Sequence, residues 1–119
     1  MTTPAKHKFV IYQGATFRKK LTWTVKSTGA AIDLTGCTAR MHIRAKQPDA
    51  STLLTLTTEN SRITLGGVAG TVDLFISDED TAAITWTSGV WDLEIAHPNG
   101  DVTRLSEGSI SVSKEVTRA

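Results

Sequence analysis

The sequence predicts an all-β protein, a small antiparallel β-sandwich of about eight strands with one short helix near residues 78–84. Three observations carry this. First, Cys37, Ala39, Met41, Ile43 and Ala45 alternate without a fault with Thr38, Arg40, His42, Arg44 and Lys46. That is a strand with one dry face and one wet, basic face. Second, similar alternation recurs along most of the chain, in short runs separated by glycine-, asparagine- and proline-containing links. Third, the chain holds a single convincing helix start, at Ser77, and it is short.

Taken in order, Met1 to Ala5 is polar, carries Pro4 and reads as a loose tail, with order beginning near Lys6. Phe9, Val10, Ile11 and Tyr12 make a β-prone run that Gln13-Gly14 breaks. Phe17, Leu21, Trp23 and Val25 then share one parity of a strand from about residue 15 to 26, where Lys19 interrupts the dry face and marks a bulge or a sheet edge. Ser27-Thr28-Gly29-Ala30 is a hairpin-type turn, and Ile32-Asp33-Leu34-Thr35-Gly36 a tight link in which Asp33 and Thr35 bond nearby backbone donors. Pro48 makes residues 47–50 a loop. Leu53, Leu54 and Leu56 open the next strand, Ile63 and Leu65 another, and Gly66-Gly67-Val68-Ala69-Gly70 reads as a flexible hairpin loop.

Val72, Leu74 and Ile76 share a parity, with Phe75 opposite. Ser77 is then an N-cap, and Asp78, Glu79 and Asp80 place negative charge at the positive end of a helical turn. That chemistry accounts for all three carboxylates without a divalent cation. Trp91, Leu93 and Ile95 face inward on the following strand, with Asp92 and Glu94 outward. His97-Pro98-Asn99-Gly100-Asp101 is a strong reversal, after which Val102 and Leu105 resume a strand. Gly108, Ile110, Val112 and Lys114 continue on the other parity, alternating with Ser109, Ser111 and Ser113.

A chain of 119 residues is one domain, here residues 6–119. Its single Cys37 forms no internal disulfide and reads as a small buried hydrophobe. A net charge of +1 argues against nucleic acid or an anionic membrane as partner. No apolar run approaches the roughly twenty residues that span a bilayer, and Met1-Thr2-Thr3-Pro4 leads into no signal-peptide core. The expectation is a soluble protein made in a reducing cytoplasm.

No chemistry-bearing constellation stands out. His7, His42 and His97 have no neighbouring nucleophile or acid in a pattern characteristic of catalysis, and the glycine-rich stretch at residues 66–70 lacks the lysine and helix of a phosphate-binding loop. The reading is therefore of a non-enzyme with no catalytic residues, metal ligands or cofactor. Trp23 and Trp91 sit at inward parity, whereas Trp86, between Thr85 and Thr87, is the indole expected to be exposed. Arg18, Lys20, Arg40, Arg44 and Lys46 are candidates for a basic sheet face that would meet an acidic partner surface. Arg40, His42, Arg44, Lys46, Trp86, His97 and Asn99 form the candidate interaction surface.

Several phrases in a fixed order resemble a family of small virion proteins of tailed bacteriophages. They are Gln13-Gly14-Ala15-Thr16-Phe17, Ile32-Asp33-Leu34-Thr35-Gly36 leading into Met41-His42-Ile43-Arg44, and Gly70-Thr71-Val72-Asp73-Leu74 running into Ser77-Asp78-Glu79-Asp80-Thr81. Trp91-Asp92-Leu93-Glu94-Ile95, Asn99-Gly100-Asp101-Val102-Thr103-Arg104-Leu105 and Glu107-Gly108-Ser109-Ile110-Ser111-Val112 follow. The family is related to the amino-terminal immunoglobulin-like modules of siphophage upper baseplate proteins and to neck or collar decoration proteins. The resemblance runs from about Val10 to Thr117.

It implies an immunoglobulin-like sandwich in the virion, a homo-oligomer in contact with neck, tail or baseplate subunits and without enzymatic activity. A chain ending at Ala119 lacks the long helical and receptor-module-carrying regions of baseplate proteins, which favours a stand-alone module around a neck or tail. The alternative, from a different class, is a carbohydrate-binding sandwich that uses Trp86 and an exposed loop to hold a host-surface glycan.

Overall fold

The computed structural model describes residues 5–25, 27–46 and 51–116. Of the tail expected at Met1 to Ala5, residues 1–4 lie outside them, as does the loop expected at residues 47–50, whereas Ala5 already belongs to the first strand, opposite Ser106. The alternating segments form eight strands: β1 (Ala5–Tyr12), β2 (Phe17–Thr22), β3 (Thr38–Arg44), β4 (Leu54–Thr57), β5 (Ile63–Leu65), β6 (Thr71–Ile76), β7 (Ser88–Ala96) and β8 (Val102–Ser113). One helix, α1 (Asp78–Ala82), lies between β6 and β7. A five-stranded sheet in the order β1-β8-β7-β3-β4 faces a three-stranded sheet in the order β2-β6-β5. The dry parities meet between them: Met41, Ile43, Leu93 and Ile95 from one sheet, Phe17, Val72, Leu74 and Ile76 from the other, all buried.

Four details depart from the sequence reading. The sandwich is not wholly antiparallel, because β1 runs parallel to β8, with Ala5 opposite Ser106 and Tyr12 opposite Ser113. Turn signals report only on strands adjacent in sequence, and this pair joins the two ends of the domain. β2 stops at Thr22, short of the expected residue 26. There the backbone turns away: the Trp23 N–H donates to the Gly70 carbonyl (2.8 Å) and the Trp23 carbonyl accepts from Ile32 N–H (2.9 Å).

The hairpin loop expected before β6 does join the antiparallel pair β5 and β6, but as a 3-10 turn, Gly67–Ala69, closed by Gly66 N–H donating to the Thr71 carbonyl at 2.9 Å. Gly70 ends it at φ 67°, where a Cβ would sit 2.7 Å from the Trp23 carbonyl oxygen. The last strand runs unbroken from Val102, and its change of parity is a bulge. Leu93 faces Ser106 and Glu94 faces Arg104, so Leu105 is the extra residue, and Leu105 and Ser106 are both buried. Lys19, at an inward position of β2, is exposed because β2 is an edge strand, as one of the two readings of that break required.

Two contacts fix the placement of β1. On its inner face Phe9 stacks on Trp91 of β7 (centroids 4.7 Å apart, planes 10° apart) and meets the edge of Phe17 at 6.0 Å. The Trp91 Nε1–H is satisfied by the Ser109 carbonyl at 3.1 Å. In the plane of the sheet, β1 passes so close to β8 that a Cβ on Gly108 would overlap the His7 carbonyl oxygen. Where β1 ends, the buried Thr81 hydroxyl of α1 accepts from Gly14 N–H (3.1 Å) and donates to the Ala15 carbonyl (2.9 Å). The Gln13 amide reaches the Ile84 carbonyl (3.0 Å) with its nitrogen and accepts from Glu115 N–H (2.9 Å) with its oxygen. Thus α1, the β1–β2 turn and the end of β8 are tied at one point.

Two outcomes follow from these contacts. Gly108→Val should cost about 1–3 kcal/mol by overpacking and dislodge β1, seen as a lower urea midpoint and altered tryptophan emission; an unchanged midpoint would mean β1 does not need that space. Thr81→Val, which keeps the shape and strands the Gly14 N–H, should cost about 1–3 kcal/mol in the same assay, whereas Thr81→Ser should recover most of the loss.

Candidate assembly surface

The outer face of the five-stranded sheet carries the densest chemistry. Its period of two turns Arg40, His42 and Arg44 of β3 outward, and the register sets Arg40 opposite Glu94 and His42 opposite Asp92 of β7. Beyond them lie Arg104 and Glu107 of β8, with Lys6 of β1 opposite Glu107. Together they line a shallow depression of about 480 Å³. Arg40 Nε donates to Glu94 Oε1 at 2.9 Å, Arg104 lies 3.6 Å from both Asp92 and Glu107, and Arg44 is 3.3 Å from His42 Nδ1.

This corrects the expected basic face. The depression holds Lys6, Arg40, Arg44 and Arg104 against Asp92, Glu94 and Glu107, a cross-strand lattice of mixed sign. Its exposed pairs are each worth about 0.2–1 kcal/mol, too little to explain the fold but enough to select a partner of matching pattern. Arg18 and Lys20 do not belong to it, since β2 is in the other sheet. There Arg18 lies over the Phe75 ring, 4.6 Å from its centroid, and Lys20 is opposite Asp73.

The remaining predicted residues are not gathered with these. Lys46 is exposed two positions beyond the end of β3, and Trp86 precedes β7 at that same end of the sheet. Trp86 is half-buried and packs against the hydrophobic core, not the exposed platform the sequence suggested. Its strand-flanking threonines concealed this, because parity says nothing where a segment lies outside a strand.

His97 and Asn99 lie at the opposite end, in the β7–β8 hairpin. Gly100 adopts φ 94°, Gly100 N–H donates to the His97 carbonyl (2.9 Å), and the exposed Asn99 Oδ1 accepts from Asp101 N–H (2.9 Å). The half-buried His97 ring sits between Cys37 Sγ, 3.7 Å from Nδ1, and Thr103 Oγ1, 3.0 Å from Nε2, with Trp23 at 6.0 Å. The sequence did not reveal this meeting of Cys37 and His97, which come together at the end of the β3–β7 ladder only once Thr38 faces Ala96. Neither residue lines the depression on the outer face of the larger sheet.

Ser77 caps α1, its Oγ accepting from Asp80 N–H at 3.2 Å, and Asp78, Glu79 and Asp80 fill the first turn. Among the described residues no group of three His, Cys, Asp or Glu side chains is placed to hold a metal ion. Asp80 also accepts from Arg62 Nη2 at 2.7 Å, and Arg62 Nη1 reaches the Thr55 carbonyl at 2.9 Å, so one arginine ties α1 to β4. The Arg62 hydrogen bond holds the Asp80 carboxyl below its usual range. Asp33 is lowered as well, by the Thr35 hydroxyl and N–H it accepts from. No helix among the described residues is long and apolar enough to cross a membrane.

The two sheets, with β4 extending the larger one beyond β3, define an immunoglobulin-like β-sandwich. Solved structures agree. An extracellular domain of the voltage-gated sodium channel beta4 subunit, whose parallel homodimers explain its role in cell–cell adhesion, superposes with a TM-score of 0.50 at 10% identity over 98% of each chain. A second domain, from photo-crosslinking work on multimeric cell-adhesive interactions of VGSC beta subunits, gives 0.50 at 11% identity over 95% of this chain and 96% of its own. At such identity the likeness shows the fold. No protein-family model and no curated protein matches the sequence. Two hallmarks of antibody domains are replaced here. With one cysteine there is no inter-sheet disulfide, and the buried indole, Trp91, sits on β7 while Met41 fills the centre of β3.

The Arg62–Asp80 tie has a pH signature. Because the folded carboxyl is lowered, its stabilisation is complete above the unfolded value near 3.8 and is lost as pH falls through the folded value. Asp80→Asn should therefore lower stability at pH 7 by about 0.5–1 kcal/mol, allowing for the partly exposed pair, and flatten the acid limb of a urea-midpoint-versus-pH curve. An acid limb identical to that of the unsubstituted chain would show that this pair is not what titrates.

Proposed function

We propose that the protein is a non-enzymatic structural component of a tailed-bacteriophage virion, in the neck or collar, tail or baseplate, made in the bacterial cytoplasm and acting through protein–protein assembly. One observation carries the reading: the phrases that resemble the virion family lie at the joints of the fold. Gly14 and Ala15 bond to Thr81, Gly70 lies close against the Trp23 backbone carbonyl, and Gly108 admits β1. Phrases so placed serve one particular sandwich rather than β-structure in general. The sodium-channel domains of like fold are described as adhesive, and surface complementarity of that kind is the mechanism proposed here, with other virion subunits and further copies of the chain as partners.

The contact face is the mixed-charge lattice around Arg40 and Arg44. Replacing both, Arg40→Glu with Arg44→Glu, sets a carboxylate against Glu94 and reverses the local sign. The variant should remain folded by circular dichroism but be missing from particles assembled in its presence. Normal incorporation would rule out that face.

A further inference from the structure

A sheet edge left open must be blunted or covered, and the four edges of this sandwich are treated unequally. β4 and β5 are short, at 4 and 3 residues, and β2 carries the exposed charge of Lys19 at a position of inward parity. β1 has 8 residues, with Val10 and Tyr12 exposed on its outer side. Its hydrogen-bonding groups can be assigned. The Gln13 N–H donates to the Ser113 carbonyl, while the Val112 N–H donates to Thr87 on the β7 side. In the parallel register this turns the backbone groups of Phe9 and Ile11 toward β8 and those of Lys6, Lys8, Val10 and Tyr12 toward the open edge.

We infer that β1 is the pairing strand for a second copy of this chain, antiparallel about a two-fold axis at Phe9. The lysines and the length of the strand together select that arrangement, since an axis at Val10 would leave Lys6 facing Gly14, beyond the end of β1. Parallel pairing in register would set Lys6 on Lys6 and Lys8 on Lys8, and an antiparallel pairing centred on Lys8 would set that lysine on itself. With the axis at Phe9, Lys6 faces Tyr12 and Lys8 faces Val10 of the other copy. The N–H and carbonyl groups of Lys8 and Val10 then pair across the axis, the Tyr12 N–H reaches the Lys6 carbonyl, and the Tyr12 carbonyl, which already accepts from Ala15 N–H at 3.0 Å, takes the Lys6 N–H as a second donor, while the lysine stems cover the exposed apolar side chains. The two five-stranded sheets become one continuous sheet. This deepens the assembly reading above, naming the edge by which copies join.

The test is the mass of the purified chain by analytical ultracentrifugation, with Val10→Pro as the variant. Proline removes an N–H that β8 does not use, so the monomer should keep its circular dichroism and urea midpoint while the dimer is lost. Val10→Lys, which sets Lys8 against a second ammonium group on the other copy, gives the same answer should the proline variant misfold. A concentration-dependent dimer abolished by either folded variant is the expected result. A wild-type monomer at all concentrations, or a dimer indifferent to both substitutions, overturns the pairing. Incorporation into particles is read separately: a monomer that still incorporates removes only the β1 pairing, and a Val10-dependent dimer that never incorporates removes only the virion reading.

Discussion

β1 must lie flat against β8 with no side chain between them, and Gly108 supplies that space. Much else hangs on this approach. It allows the parallel ladder from Ala5 to Tyr12, and that ladder puts Phe9 over Trp91 in the core. Stacking of this kind contributes about 0.5–1.5 kcal/mol beyond the area it buries. The same ladder delivers Gln13 and Gly14 to Thr81, where α1 and the end of β8 converge. Without β1 the larger sheet would end at β8, whose outward serines, Ser109, Ser111 and Ser113, would present open backbone groups of their own.

The closing of one edge exposes another. β1 covers β8 and in doing so becomes the longest edge with apolar side chains on its surface. A domain that functions in many copies can turn this into a specific contact, because Lys6 and Lys8 penalise every register that brings them together. The mixed-charge face adjoins this edge and shares Lys6 with it, so the proposed pairing and a contact through that face would be neighbours on one sheet.

Much of the fold was legible in particular residues. The faultless alternation around Met41 gave β3, the break at Lys19 left a bulge or an edge, of which the structure has the edge, and Ser77 with Asp80 gave the helix cap, whereas the parity change between Leu105 and Gly108 did not by itself reveal the bulge. What the sequence withheld depends on contacts distant along the chain. Parallel pairing of β1 with β8, the meeting of Cys37 with His97 and the neutralisation of Arg40 by Glu94 all follow from register between strands. Alternation shows which side of a strand is wet but not what stands opposite. The seven predicted surface residues accordingly divide among one sheet face and its two ends. Trp86 proved half-buried because it lies between α1 and β7, where no strand parity applies.

The most direct test is residue-resolved amide hydrogen exchange of β1 by NMR at low and high protein concentration. The Phe9 and Ile11 amides, bonded to β8, should be protected at every concentration, while those of Lys8, Val10 and Tyr12 should exchange rapidly when dilute and become protected as the chain is concentrated. Rapid exchange of Phe9 and Ile11 at both concentrations would contradict the docking of β1 on β8, and amides of Lys8, Val10 and Tyr12 that stay fast throughout would contradict its role as the pairing edge.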